Sequence, residues 1–245
     1  MIVNTDANGF EVIYHSTHGL LAGKIANYIT DQFFGHKKFE TIIAITSHDD
    51  LQPSIEDGDH ISENGMLKNF TENSQPIVAV IDRCKNIMIE AHRRSPYIEV
   101  LVSKHLNFLY TDLAKSSKMM SSFLSEQKTL REDLIKLHSI PKSDFEKGYQ
   151  VLLFCDRLSL ILSQNQNPFE GRELEINKSI EGKTYFVSED EQGDLNVRPW
   201  IFNCEQFEVS IPVRRLKKTT FKSTSEFKDS LRQCKIKDKV WKFAK

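Results

Sequence analysis

The chain has 245 residues, enough to bury a substantial core as one domain with an appendage or as two small domains. Its 33 basic and 34 acidic side chains leave a net charge of −1, so no general basic field invites nucleic acid and a small-molecule partner is expected. Cys84, Cys155, Cys204 and Cys234 lie too far apart for a disulfide framework or a zinc ribbon, no apolar run reaches the roughly 20 residues that span a bilayer, and no basic-then-hydrophobic leader opens the chain, so a soluble cytoplasmic protein is expected.

Along the chain, alternation first predicts a strand over Phe10 to Tyr14, followed at once by His15 and His18. From His18 to Phe33 the line His18, Leu21, Ile25, Ile29 keeps the three-and-four step of one helix face, so His18 heads an apolar stripe. Breaks follow at Gly35 to Phe39 and in the polar stretch Gln52 to Ser74. Between them the run Thr41 to Asp50 places His48 and Asp49 one turn beyond Ala44 and Ile45, where both can reach inward at a helix end. A mixed line Ile81, Lys85, Met88 leads to His92, four residues before the break at Pro96, where His92 is either a ligand or a solvated cap.

Tyr97 to Leu113 presents Ile98, Leu101, Val102, His105, Phe108 and Leu109 on one face, with His105 in the middle. Met119 to His138 reads as an amphipathic helix through Phe123, Leu130, Leu134 and Leu137. After Pro141 the series Phe145, Tyr149, Leu152, Asp156, Leu160 puts a carboxylate in a core position that a Leu would fill without desolvation cost. Beyond Pro168 the texture turns to short β-rich runs at Leu174 to Ile180, Lys183 to Ser188, Leu195 to Phe202 and Phe207 to Leu216, then a short helix at Ser225 to Gln233 and a strand at Val240 to Phe243. The expected architecture is therefore mainly α, a helical bundle over residues 1–168 with a short N-terminal strand, carrying a small antiparallel β-sheet over residues 169–245, α+β overall. The cluster Arg214 to Lys218 reads as an exposed strand end.

Taken singly, a histidine on an apolar face is usually a core residue bonded to a carbonyl, and an inward aspartate usually caps a helix or pairs with an arginine such as Arg157. The joint occurrence of His18, His48 with Asp49, His105 and Asp156 on separate helices, with His92 as a weaker sixth member, points instead to one buried metal site.

The order His18, His48-Asp49, Asp156 in helical context resembles the signature of the HD-domain superfamily, whose members hold one or two divalent metals and mostly hydrolyse phosphate esters. His105, and His92 beside it, is similar to the extra histidines of the two-metal branches. Met1-Ile-Val, Gly9-Phe-Glu-Val-Ile-Tyr-His-Ser-Thr-His18-Gly-Leu-Leu-Ala-Gly23, Ala44-Ile-Thr-Ser-His48-Asp49-Asp50, Leu101-Val-Ser-Lys-His105, Asp156-Arg-Leu-Ser-Leu160 and Val197-Arg-Pro-Trp200 look more closely like an uncharacterised bacterial family, domain of unknown function 3891. Three departures stand out: His15 replaces a family Gln, Leu51-Gln52 replaces Gly-Trp, and the His-His pair of many two-metal sites is missing, so one ion or two are both open.

Imidazole with carboxylate and no thiolate suits Mn, Fe or Zn in a catalytic rather than a structural site. The resemblance implies His18, His48, Asp49 and Asp156 as ligands, with His105 and His92 either binding a second metal or contacting the substrate, and Asp50 orienting the water or a ligand histidine. Lys24, Arg83, Lys104 and Arg157 are candidate phosphate partners, and His60 could close over the pocket. Three functions follow: a metal-dependent phosphohydrolase of a small phosphorylated metabolite or nucleotide, an HD-type di-iron oxygenase, and a non-catalytic ligand-binding protein whose polar cluster is a core network.

Overall fold

The structure is a computed structural model that describes residues 1–51, 60–72 and 75–245, so part of the expected polar break at 52–74 lies outside the described residues. It opens with a hairpin of β1 (Ile2–Asp6) and β2 (Gly9–Ile13) in the register Ile2 to Ile13 and Asp6 to Gly9. Gly9 is required at this corner: its φ of +127° disfavours a side chain, and a Cβ there would strike the Leu216 carbonyl where β2 meets the C-terminal half of the chain.

The helices follow in order as α1 (His15–Tyr28), α2 (Lys38–Ser47), α3 (Ile77–Arg94), α4 (Pro96–Leu109), α5 (Thr111–Ser116), α6 (Lys118–Leu137) and α7 (Lys142–Ser163). Local chemistry sets their starts. Ser95 accepts from the Ile98 amide at 3.1 Å with Pro96 at the first helical position, and Ser117 accepts from the Met120 amide at 3.3 Å. The apolar faces of α1, α2, α4 and α7 then turn toward one another, with Leu21, Ile25, Ala44, Ile45, Leu101, Leu152 and Leu158 all buried in one core. The reading of α4 as apolar to its end fails: Phe108 is 57% exposed and Leu109 39%, because α4 runs out past the core there.

The remaining elements are β3 (Leu174–Lys178), β4 (Thr184–Glu189), β5 (Leu195–Arg198), β6 (Gln206–Leu216), α8 (Thr224–Gln233) and β7 (Ile236–Ala244). All seven strands form one sheet in the order β1-β2-β6-β7-β5-β4-β3, antiparallel except where β5 runs parallel to β7. Alternating Phe207, Val209, Ile211 and Val213 of β6 face the helical core, with α1 laid across them. The other face of the β1-β2-β6 end carries a second, smaller core of Val3, Phe10, Val12 and Leu216, closed by Ile61, Leu67, Phe221 and by Phe227 and Leu231 of α8.

This corrects the expectation of a mainly α protein with a small C-terminal antiparallel sheet. With 52% helix and 21% strand in a seven-stranded mixed sheet, the fold is α/β. The reason is legible in β7: Lys237, Asp238 and Lys239 are polar in succession, so alternation reveals only its last residues, although the strand pairs with β6 from Gln206–Ala244 to Arg214–Ile236. The expected strand at Phe10 to Tyr14 does join this sheet, pairing with β6 through Phe10–Leu216. Among the described residues no helix is long and apolar enough to cross a membrane.

Candidate metal centre

Two glycines bring the first two ligand-bearing elements together. Gly19 and Gly23 lie one turn apart on α1, and a Cβ on Gly19 would collide with the Thr46 carbonyl oxygen, one on Gly23 with Thr46 Oγ1. Backbone therefore meets backbone between α1 and α2, and His18, next to Gly19, comes up against His48, which caps the C-terminus of α2. Their rings lie edge to face with centroids 5.3 Å apart. From α7, Asp156 projects between them: its Oδ1 is 3.2 Å from His18 Nε2 and 3.1 Å from His48 Nε2. His105 of α4 closes the far side, edge-on to His48 at 5.1 Å, with Nε2 3.8 Å from Asp156 Oδ2.

The outer nitrogens fix which ring atoms carry hydrogen. His48 Nδ1 donates to the Ile45 carbonyl at 2.6 Å, so in the neutral ring Nε2 presents a lone pair inward. Ser159 Oγ gives its single hydrogen to the Asp156 carbonyl at 2.9 Å and so accepts from His18 Nδ1 at 3.0 Å, which leaves His18 Nε2 a lone pair too. With both rings neutral, two imidazole lone pairs converge on a carboxylate oxygen. Three acceptors at 3.1 to 3.2 Å repel unless a cation, a proton or a metal ion, lies among them.

Electrostatics point the same way. Burial works against a proton on His48, but the Asp49 and Asp156 carboxylates outweigh it and raise its pKa to about 9. Burial would also raise both carboxyls, yet His48, with His18 and other histidines behind it, holds Asp49 and Asp156 below the usual carboxylate range. Burial pushes His105 down to about 4, so it is neutral, and neither of its ring nitrogens has a hydrogen-bond partner among the described residues. Asp49 Oδ2 lies 3.8 Å from His18 Nε2, 3.9 Å from His48 Nε2 and 3.4 Å from His15 Nδ1. His18, His48 and Asp156 form the tight donor set, their ligand atoms all within 4.8 Å of one another, with Asp49 and His105 as flanking donors.

Asp49, Asp156 and His15 reach the wall of a cavity of about 480 Å³ above the cluster. His60 also lines this cavity, buried against the Phe227 ring. Arg83, the one phosphate-partner candidate on this cavity, lines it together with Gln75 and Tyr110. Lys24 instead donates to the Ser210 carbonyl and Lys104 lies over the Tyr149 ring.

Two expected site residues are elsewhere. His92 ends α3 with 69% of its side chain exposed and its Nδ1 2.9 Å from Glu99 Oε2, because the turn at Ser95-Pro96 aims the last turn of α3 at the first turn of α4 rather than at the cluster. Asp50 lines a different cavity of about 350 Å³ with Ser47, Glu90 and Arg94, where burial raises its pKa. Conversely, His15 and Ser159 were not singled out as site residues. Both carried a signal in spacing: His15 is one turn before His18, and Ser159 one turn after Asp156.

Against known families, the chain matches the model described as "Protein of unknown function (DUF3891)" over residues 1–218. No curated protein and no solved structure matches it.

Proposed function

The chain belongs to the family described as "Protein of unknown function (DUF3891)", a description that assigns no activity, and we propose from the site itself that it is a divalent-metal-dependent phosphohydrolase acting on a small phosphorylated molecule. The observation that carries this reading is the convergence of the His18 and His48 Nε2 atoms on Asp156 Oδ1 beneath an open cavity. A structural core network has no need of a cavity over it. Two imidazoles and a carboxylate fit Mn, Fe or Zn, and Asp49 and His105 give room for further coordination to one ion or to a second.

Bound there, a divalent ion supplies positive charge to a phosphoryl oxygen and acidity to a water. The chain's own groups supply the rest. Asp49, ionised and exposed to the cavity, with His15 at 3.4 Å, makes a carboxylate–imidazole pair able to take up and hold a proton as the ester is cleaved. The Ile45 carbonyl and Ser159 hydroxyl keep the His48 and His18 rings oriented.

One observation favours a second reading, a non-catalytic ion-paired core. With a pKa of about 9, a protonated His48 between Asp49 and Asp156 also relieves the lone-pair conflict. Elemental analysis of protein purified without added metal, paired with His48→Ala, separates the two. The phosphohydrolase reading expects near-stoichiometric transition metal in the wild type, little in the variant, and Mn-dependent phosphate release. Metal-free wild type that gains no activity with Mn overturns it.

A further inference from the structure

We propose that Arg83 is the anion-recognising group of the cavity over the metal cluster and that the ligand is the phosphate monoester of an apolar alcohol; this substrate class rests on the phosphohydrolase reading of the same site.

Arg83 lies in the middle of α3 and on the cavity wall. Its Nη1 donates to Gln75 Oε1 and its Nη2 to Tyr110 Oη at 3.1 Å. Both acceptors are neutral, and no carboxylate among the described residues pairs with the guanidinium. Its Nε is buried without a hydrogen-bond partner among those residues. A guanidinium offers five N–H donors in a rigid fork, and two contacts to neutral oxygens leave both charge and donors unspent. Holding an uncompensated cation in a half-buried wall costs free energy that an incoming oxyanion returns. The carboxylates of the same cavity, Asp49 and Asp156, are already engaged with the histidines. They do not neutralise Arg83. Gln75 and Tyr110 hold the fork in place from two sides, so it is oriented before a ligand arrives.

The rest of the wall describes the other half of the ligand. Val80, Leu109, Leu113 and Leu160 line it, with Phe70 set edge-on to His15 at 5.1 Å. A sugar here would leave most of its hydroxyls against hydrocarbon, at a cost for each one unpaired. An alkyl or aryl group loses nothing. Leu109 and Leu113 are 39% and 37% exposed, which puts apolar surface at the mouth as well as inside. About 480 Å³ accommodates a small ester.

The test is calorimetric titration of the full chain, wild type and Arg83→Gln, with inorganic phosphate, phenyl phosphate and ribose 5-phosphate, alongside metal content. Expected are phenyl phosphate binding at least about tenfold tighter than the other two, and a loss on the order of 10- to 100-fold for phenyl phosphate in Arg83→Gln with metal content unchanged. Arg83→Lys keeps the charge without the fork and should fall about tenfold short of wild type, which serves if the Gln variant does not fold. Equal phosphate-ester affinity in wild type and variant overturns the role of Arg83. Ribose 5-phosphate binding as tightly as phenyl phosphate overturns the apolar alcohol. Loss of metal and phosphate release with Arg83-dependent binding intact marks failure of the phosphohydrolase reading instead.

Discussion

His48 is held between Asp156 and Ile45: Nε2 lies 3.1 Å from the Asp156 carboxylate, and Nδ1 donates to the Ile45 carbonyl at 2.6 Å. The backbone of α2 thereby decides what the ring offers to α7. An imidazole so fixed either carries a second proton or gives a lone pair to a metal, and substitutions at Asp156 distinguish these roles.

Asp156→Asn keeps the shape and removes the charge. Metal affinity should fall by on the order of 100-fold or more, since a ligand is altered rather than a supporting group. In metal-free protein the same change strips the protonated His48 of the nearer of its two buried counter-charges, at roughly 3 to 5 kcal/mol. Elemental analysis and chemical denaturation with chelator check the two arms. Unchanged metal content in Asp156→Asn removes Asp156 from the ligand set.

Stability and metal binding should respond to pH in opposite senses. In metal-free protein His48 titrates near 9 against an ordinary 6.5, so its contribution is fully present below pH 6.5 and is lost as pH rises through 9. Asp49 and Asp156 are lowered, so theirs is present above the ordinary 3.8 and is lost only as pH falls through their folded values. His105, lowered to about 4 by burial, acts the other way and adds stability as pH rises from about 4 to 6.5, so these groups together make the metal-free protein most stable near pH 6.5. Metal must displace the His48 proton, so affinity for Mn should climb by up to about tenfold per pH unit toward 9. Melts with chelator and with Mn, at about pH 6 and about pH 9, should show a falling metal-free Tm and a growing metal-induced shift. A shift that is the same at both values excludes His48 as a ligand.

Ser159→Ala tests the orientation of His18 without touching a ligand. The ring loses the acceptor for Nδ1–H, leaving a buried donor unpaired at roughly 1 to 3 kcal/mol. Metal affinity should drop about 10- to 100-fold. Ser159→Thr, which keeps the hydroxyl, should recover much of it. Equal affinity in Ser159→Ala and wild type would show that His18 is oriented by packing alone.

The cluster was legible because burial of a polar group breaks a pattern. His18, His105 and Asp156 each interrupt an apolar line at helical spacing, and the sequence needs only to be read for period to expose them. His92 was overvalued for lack of the turn geometry at Pro96, which no periodicity contains. The partners of Arg83 were invisible for a similar reason: Gln75, Arg83 and Tyr110 come from different segments, and only packing brings them together. The sheet was underestimated because β7 is polar over its first half and borrows its regularity from pairing with β6.

The approach of α1 to α2 is the mechanical condition for the site, and Thr46 is where it can be tested. Gly23→Ala would drive a methyl into Thr46 Oγ1, while Gly19→Ala would drive one into the Thr46 carbonyl. Each should destabilise by roughly 1 to 3 kcal/mol, or about 2 to 4 °C in Tm per kcal/mol for a chain of this size. The two differ in remedy. Thr46→Ala removes the offending oxygen facing Gly23 but leaves the carbonyl facing Gly19, so it should partly rescue Gly23→Ala and leave Gly19→Ala unrescued. Because residue 19 adjoins His18 and Thr46 lies two residues before His48, Gly19→Ala should also separate the two Nε2 atoms and weaken metal binding beyond what its stability loss explains. Identical rescue of both variants by Thr46→Ala would show that the helices part freely and that glycine does not set their distance.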